Sequence, residues 1–159
     1  MSTDGTPAAA PEALRSGELF HFGSWPSTPV PRGRPGVYTI WQGNEFLYVG
    51  ISWREGTADR EVRGLWGRLD SHASGRRPGD QFCIYICDRF VIPTLSAEAI
   101  RTLSTGARTL DPLTKEYIRT NLGYRYITTE TGAAARRIES QIRRHGLDGH
   151  GQPMINPSG

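Results

Sequence analysis

The chain has little cysteine, and this scarcity excludes a disulfide-stabilised scaffold. Its 159 residues include two cysteines, Cys83 and Cys87, whereas small disulfide-dependent domains carry several pairs. If residues 81–92 form a strand, the two Cα atoms lie about 13 Å apart, beyond the roughly 7 Å that a disulfide spans. Their spacing also differs from the C-x-x-C pairs of structural zinc sites. We therefore expect two free thiols, as in a reducing compartment.

Long apolar runs are also missing. The mean hydropathy is -0.48, and no stretch approaches the ~20 apolar residues that span a bilayer. The first residues lack the basic and apolar segments of a secretory signal. These features predict a cytoplasmic protein that has no membrane partner.

Lysine is nearly absent, although the chain is basic. Of the 19 basic residues only Lys115 is a lysine, and the 16 acidic residues leave a net charge of +3. The planar guanidinium of arginine binds phosphate through two hydrogen bonds, whereas the lysine ammonium acts as a point charge. An arginine-rich basic chain is compatible with a nucleic-acid partner. Codon bias in a GC-rich genome is the alternative explanation.

The residue pattern predicts a single domain of α+β class. The length suits one core, and residues 1–33, rich in proline, predict an N-terminal arm that is flexible or docks through the apolar side chains of 19–25. Residues 34–157 then form the domain. In chain order we predict a β-hairpin over 36–52, a helix over 64–75, a central strand over 81–92, two helices in an insertion at about 91–123, a strand over 124–130 and a helix over 131–146. This order indicates a small sheet of about three strands, or one more, flanked by helices.

The hairpin makes a prediction about two tyrosines. Residues that oppose each other in an antiparallel pair share a face of the sheet, and Tyr38 and Tyr48 oppose each other only if the turn centres on Gly43. A two-residue turn at Gly43 and Asn44 would place the two tyrosines on opposite faces. If they share a face, the hairpin needs a three-residue loop or a compensating bulge.

Five short features, in order along the chain, resemble the GIY-YIG nuclease superfamily. The tripeptide G-V-Y ends at Tyr38, and Y-V-G begins at Tyr48. An arginine on the next predicted helix, Arg68, a glutamate on the last helix, Glu139, and a late asparagine, Asn156, follow in the order of that family. The similarity spans residues 36–157. It implies a divalent-metal-dependent endonuclease that leaves a 5′-phosphate and a 3′-hydroxyl.

The spacing of Arg68 and His72 resembles one subgroup of this superfamily more than the others. A histidine one helical turn after the arginine is similar to the restriction-endonuclease-like members of the superfamily, in which that histidine takes part in catalysis. The resemblance also implies a substrate of nucleic acid, DNA rather than RNA. Cutting both strands of a duplex needs two active sites, so a homodimer or a larger partner protein is expected.

The resemblance implies a chemical role for each residue. Glu139 holds one Mg²⁺ or Mn²⁺, which prefers oxygen ligands, and Arg68 binds a phosphate oxygen. Tyr38 orients or deprotonates the attacking water, His72 is the other candidate base because its ordinary pKa lies near neutrality, and Tyr48 donates to the phosphate. The residues expected to contact the substrate outside this centre are Asn156, Arg76 and Arg77.

Each residue has a simpler explanation when it is taken alone. A hairpin tyrosine is ordinarily a packing residue, and Glu139 with Arg143 four positions later is ordinarily a surface ion pair. Two other functions therefore stay open: a non-catalytic nucleic-acid-binding module on the same fold, and a protein-interaction domain that uses the apolar side chains around Phe20 and Trp25. Weaker candidates are a metal site at His145, Asp148 and His150, a DNA-backbone contact at Arg63, and base stacking on Trp53 or Trp66.

Overall fold

A computed structural model describes residues 9–52 and 64–156 and has the predicted α+β class. The helices of the described residues are α1 (Ala9–Ser16), α2 (Leu65–Ser74), α3 (Gln81–Ile86), α4 (Ala97–Ser104), α5 (Leu110–Asn121) and α6 (Gly132–His145). The strands are β1 (Phe20–His21), β2 (Gly36–Gln42), β3 (Glu45–Ser52) and β4 (Gly123–Thr128). Each helix in these ranges is too short or too polar to cross a bilayer.

The four strands form one antiparallel sheet in the order β1-β4-β2-β3. Strand β2 lies inside the sheet and β3 forms one edge. Because side chains alternate along a strand, Tyr38 and Ile40 face one side of β2, and Val37, Thr39 and Trp41 face the other. The sheet therefore has an apolar core on each face.

Different helices pack against the two faces of the sheet. The first contains Tyr38 with buried residues of α2, α3 and α5, such as Leu69, Phe82 and Ile118. The second contains Val37 with Leu14 of α1 and residues of α6. Every functional group on α6 therefore comes from the opposite side of the sheet to those on α2.

A β-bulge brings the two tyrosines to the same face. The turn has two residues, since Gln42 pairs with Glu45, and Gly43 takes the left-handed φ of +57° that such a turn favours. The register shifts between Ile40 and Trp41, which leaves Leu47 as the extra residue of β3. The predicted compensating bulge is therefore confirmed. The two tyrosines share the face without opposing each other directly, because Tyr38 pairs with Gly50 and Tyr48 pairs with Ile40.

The predicted central strand over 81–92 is wrong. These residues form α3, which continues as a π-helical turn (Cys87–Val91) and a 3-10 turn (Ile92–Thr94). An apolar run alone does not separate a buried strand from a buried helix. Here the carboxylate of Asp80 accepts from the Cys83 amide and starts a helix. The predicted 13 Å spacing of the cysteines fails as well, since one helical turn separates Cys83 from Cys87 by about 6 Å of rise, and both thiols are free and buried.

Other helix ends agree with the sequence more closely. Ser96 and Thr131 cap α4 and α6 through their side chains. Gly75 and Gly146 follow the last residues of α2 and α6, so these helices end where the predicted ranges 64–75 and 131–146 end. Helices α4 and α5 both lie within the predicted helical insertion at about 91–123.

The segment predicted as an arm contributes regular structure to both cores. Helix α1 buries Leu14, whose carbonyl accepts from Thr39 at 2.8 Å. Strand β1 pairs with β4, and Phe22 and Trp25 are buried in the first core. These contacts join residues 9–25 to the sheet.

Candidate active site

The two tyrosines that the sequence singles out lie side by side on the first face of the sheet. Tyr38 is fully buried and Tyr48 is partly buried, and their ring centroids are 6.4 Å apart. The ring of Tyr38 crosses over Gly50, its partner on β3, where an added Cβ would overlap the Tyr38 hydroxyl. A glycine at the end of the second tripeptide is therefore required for the Tyr38 ring to lie there.

A chain of hydrogen bonds starts at the Tyr38 hydroxyl. The hydroxyl lies 2.7 Å from Nε2 of His72, a fully buried residue of α2. Nδ1 of His72 lies 2.7 Å from Oδ2 of Asp80. The same oxygen accepts from the Ser71 hydroxyl at 2.6 Å, and the other carboxylate oxygen accepts from the Cys83 amide at 3.0 Å.

The protonation of this chain follows from its surroundings. Burial lowers the pKa of His72 below 6.5, and this outweighs the opposite effect of Asp80. Burial alone would raise the pKa of Asp80, but the hydrogen bonds from His72, Ser71 and Cys83 hold it well below its usual value. The chain is therefore a neutral imidazole beside a carboxylate. Nδ1–H donates to Asp80, and Nε2 accepts the Tyr38 proton.

Both phenols are neutral at ordinary pH. Burial raises the pKa of Tyr38 far above 10 and that of Tyr48 to about 12, while the positive charge of Arg68 opposes both increases. A phenol in this state cannot act as a base alone. It can, however, receive one proton while it passes its own proton to His72.

Arg68 is the cation of the cluster. It lies on α2 one turn before His72, and its charge acts on Tyr38, Tyr48 and Asp80. Its Nε is buried and has no hydrogen-bond partner among the described residues. A buried donor without a partner costs about 1–3 kcal/mol. One buried donor of Arg68 is therefore without a partner among the described residues.

Glu139 approaches the cluster from α6, on the other side of the sheet. Its side chain is 17% exposed and its Oε1 lies 3.6 Å from a guanidinium nitrogen of Arg143. Burial raises its pKa, and the charges of Arg143 and Arg136 partly oppose this. Its own charge adds to the increase in the Tyr48 pKa that burial causes. Helix α6, which carries Glu139, packs beside the edge strand β3 that carries Tyr48.

Asn156 supports that edge strand. Its amide oxygen accepts from the Val49 N–H at 2.8 Å, and its amide nitrogen donates to the Val49 carbonyl at 2.9 Å. The amides of Met154 and Ile155 donate to β3 in the same way. The side chain predicted to contact substrate thus completes the hydrogen bonding of the strand that carries Tyr48.

The two arginines predicted to contact substrate lie in different settings. Arg76 is exposed beyond the end of α2. Arg77 donates from Nε to Asp111 at 2.6 Å and so ties the turn before α3 to α5. Of the two, Arg76 has the more accessible side chain.

Among the described residues, the one group of gathered metal-ligating side chains does not include His145, Asp148 or His150. His150 contacts the Asn44 carbonyl at 3.1 Å and lies edge-on to Trp41. Trp66 is covered by Arg32, whose guanidinium carbon is 4.0 Å from the ring centroid. Trp53 and Arg63 lie outside the described residues.

One group could be taken for a metal site. Ligand atoms of His72, Asp80 and Cys83 lie within 4.8 Å of one another. The 2.7 Å distance from Nδ1 to Oδ2 is a hydrogen bond, however, and the thiol donates to the His72 carbonyl at 3.5 Å. Burial raises the pKa of Cys83, so the sulfur is protonated and a poor metal ligand. We interpret the group as a proton network.

Sequence reasoning missed Asp80 and Ser71. Asp80 follows a glycine and stands three residues before Cys83, the position of a helix cap. A helical interpretation of 81–92 would have shown this cap eight residues after His72. The signal existed but depended on the assignment that proved wrong.

Tyr38 and His72 can exchange a proton, Arg68 carries a positive charge beside them, and Glu139 has carboxylate oxygens, the ligand type that a hard cation prefers. No protein-family model matches the chain, and no curated protein or solved structure is significantly similar to it. The geometry and the sequence motifs are therefore the grounds for a functional proposal.

Asn156→Ala should lower the free energy of unfolding by about 1–3 kcal/mol, because it leaves both backbone groups of Val49 without their partner. Asn121→Ala is the matched control, since the Asn121 amide donates only within its own helix, to Tyr117, and is exposed. Urea unfolding of both variants measures the difference. Equal free energies of unfolding would show that Asn156 does not support β3.

Proposed function

We propose that the chain is a divalent-metal-dependent endonuclease that hydrolyses a phosphodiester bond of nucleic acid, DNA rather than RNA. The observation that carries this proposal is the buried chain from Tyr38 through His72 to Asp80, next to a guanidinium with an unused donor. The ordered resemblance to the GIY-YIG superfamily supports it from the sequence. Both involve Tyr38, Arg68 and His72.

Water activation begins at Tyr38. A water proton passes to the Tyr38 oxygen while the phenolic proton passes to Nε2 of His72, 2.7 Å away. The water oxygen forms a bond to phosphorus, and the bond from phosphorus to the leaving 3′ oxygen breaks. The leaving oxygen takes its proton from solvent. The products carry a 5′-phosphate and a 3′-hydroxyl.

Arg68 and Tyr48 bind the phosphate. The buried Nε of Arg68 lacks a partner, and a guanidinium binds phosphate oxygens through charge-assisted hydrogen bonds. Tyr48 keeps its proton because its pKa is raised to about 12 by burial, and so it can donate. Donors placed before the reaction stabilise the charge that develops on phosphate.

Glu139 fits a single Mg²⁺ or Mn²⁺. Mg²⁺ at phosphoryl-transfer sites is held by one or two carboxylates together with waters and substrate phosphates. Arg143 lies 3.6 Å from Oε1 of Glu139, and a carboxylate has two oxygens that can each accept more than one partner. The cation, when bound, would neutralise charge on the phosphate and the leaving oxygen.

The alternative function, a protein-interaction domain, would use the apolar side chains around Phe20 and Trp25 as its binding surface. Phe22 and Trp25 are buried in the first core, and Phe20 packs against Tyr124 and Tyr126. These aromatic side chains are therefore used inside the fold. Binding of nucleic acid without cleavage is the other rival, and the first experiment below separates it from the proposal.

Glu139→Gln should reduce cleavage by about 100-fold or more, since it removes the charge that holds the cation. Wild type and variant are incubated with supercoiled plasmid, a single-stranded oligonucleotide and a branched duplex, with Mg²⁺ and then with EDTA. Glu116→Gln, on the exposed side of α5, removes the same charge elsewhere and should cleave like wild type.

Three results would overturn the proposal. These are cleavage that survives EDTA, full activity of Glu139→Gln, and binding of all three substrates with no cleavage by wild type. The last result would identify a binding module.

The rate of cleavage should fall only when the pH drops below 6.5. His72 must be neutral to accept the Tyr38 proton, and burial holds its pKa below that value. Its protonation at lower pH therefore removes the base. A profile of kcat/KM against pH measures this limb, and His145→Gln, an exposed control, should leave it unchanged. An acidic limb centred above pH 6.5 would contradict the assignment.

A further inference from the structure

We propose that Asp80 is a positioning residue of the active site, whose carboxylate fixes His72 in the Nδ1–H tautomer and so keeps Nε2 free to accept the Tyr38 proton. The inference rests on the proposed nuclease function. It adds a third member to the pair of Tyr38 and His72 that the sequence motifs suggest.

The geometry leaves one assignment for the imidazole protons. A carboxylate can only accept, so the 2.7 Å contact from Asp80 to Nδ1 requires a proton on that nitrogen. A neutral imidazole then has a lone pair on Nε2. The Tyr38 hydroxyl at 2.7 Å donates to it.

Capping of α3 does not by itself explain why residue 80 is an aspartate. Capping uses one oxygen, which accepts from the Cys83 amide at 3.0 Å, and Ser, Thr or Asn would serve there as well. The other oxygen accepts from both His72 and Ser71. Asp80 is 2% exposed, and a charge buried so deeply is costly unless it is paired. The pairing with His72 explains why the cap is a carboxylate.

Asp80 is the anion that stabilises a positive charge on the His72 ring. The groups that face the imidazole are Tyr38 from β2, Tyr48 from β3, Arg68 from its own helix, Asp80 from the turn before α3, and Phe82 and Cys83 from α3. Arg68 opposes a positive charge on the imidazole, and Asp80 is the anion that offsets it. The imidazolium that forms when the Tyr38 proton arrives is therefore stabilised by Asp80.

Asp80→Asn is the test, because asparagine keeps the shape and the helix cap but has no charge. With its amide oxygen on the Cys83 N–H, its amide nitrogen donates to Nδ1 of His72 and moves the proton to Nε2. We expect the ¹⁵N shifts of the His72 ring to change from the Nδ1–H to the Nε2–H tautomer. Cleavage should fall by about 100-fold or more, with the acidic limb moved to lower pH.

Ser71→Ala is the matched control. It removes a donor from the same carboxylate oxygen but leaves the contact with His72. The tautomer should stay Nδ1–H, and cleavage should fall by less than about 10-fold. The ¹⁵N signals of His72 are distinguished from those of the other histidines, of which the chain has four in all, because they are missing from the spectrum of His72→Gln. If Asp80→Asn does not fold, Asp80→Ser retains a capping oxygen but removes the acceptor for Nδ1 of His72, so the Nδ1–H tautomer should lose its preference and cleavage should fall.

The tautomer is measured without substrate, so it separates this inference from the proposed function. A His72 ring that stays Nδ1–H in Asp80→Asn, or a loss of rate with an unmoved acidic limb, overturns the role of Asp80. A tautomer that changes as expected, in a chain that cuts none of the substrates, supports the control of His72 by Asp80 and overturns the nuclease function instead.

Discussion

The buried hydrogen bond between Tyr38 and His72 is the constraint on which the rest of the structure depends. Both side chains are fully buried, and a buried polar group that loses its partner costs about 1–3 kcal/mol. The pair therefore requires β2 and α2 to keep one relative position. Asp80 extends the same requirement to α3, because the carboxylate that starts α3 also accepts from His72. Fold and site are specified by the same contacts.

The bulge at Leu47 converts a hairpin into part of a site. A regular two-residue hairpin would send the Tyr48 ring into the second core, where α6 packs. The extra residue places both phenols on the face that receives His72 and Arg68. The edge strand bent by this bulge is supported in turn by the Asn156 amide. Local irregularity at such sites is a common way to aim a side chain.

Much of the fold could be predicted because its signals are local. The hairpin, α2, β4 and α6 have clear turns, caps and apolar periods, and the structure contains all four. The pattern of residues 81–92 does not decide between helix and strand, since an apolar segment of that length suits a buried helix or a buried strand equally. The same ambiguity prevents Asp80 from being recognised as a helix cap. The place of Asn156 beside Val49 depends on a contact between residues 107 positions apart, which no local pattern shows.

The account claims that Tyr38 and His72 act as one unit in proton transfer, and a double-mutant cycle measures this most directly. Rates of cleavage are compared for wild type, Tyr38→Phe, His72→Gln and the double variant. If the two groups pass one proton, the double variant should be no slower than the slower single variant within a few fold. If the two losses multiply, each residue acts independently, and the proton chain at the centre of this account is wrong.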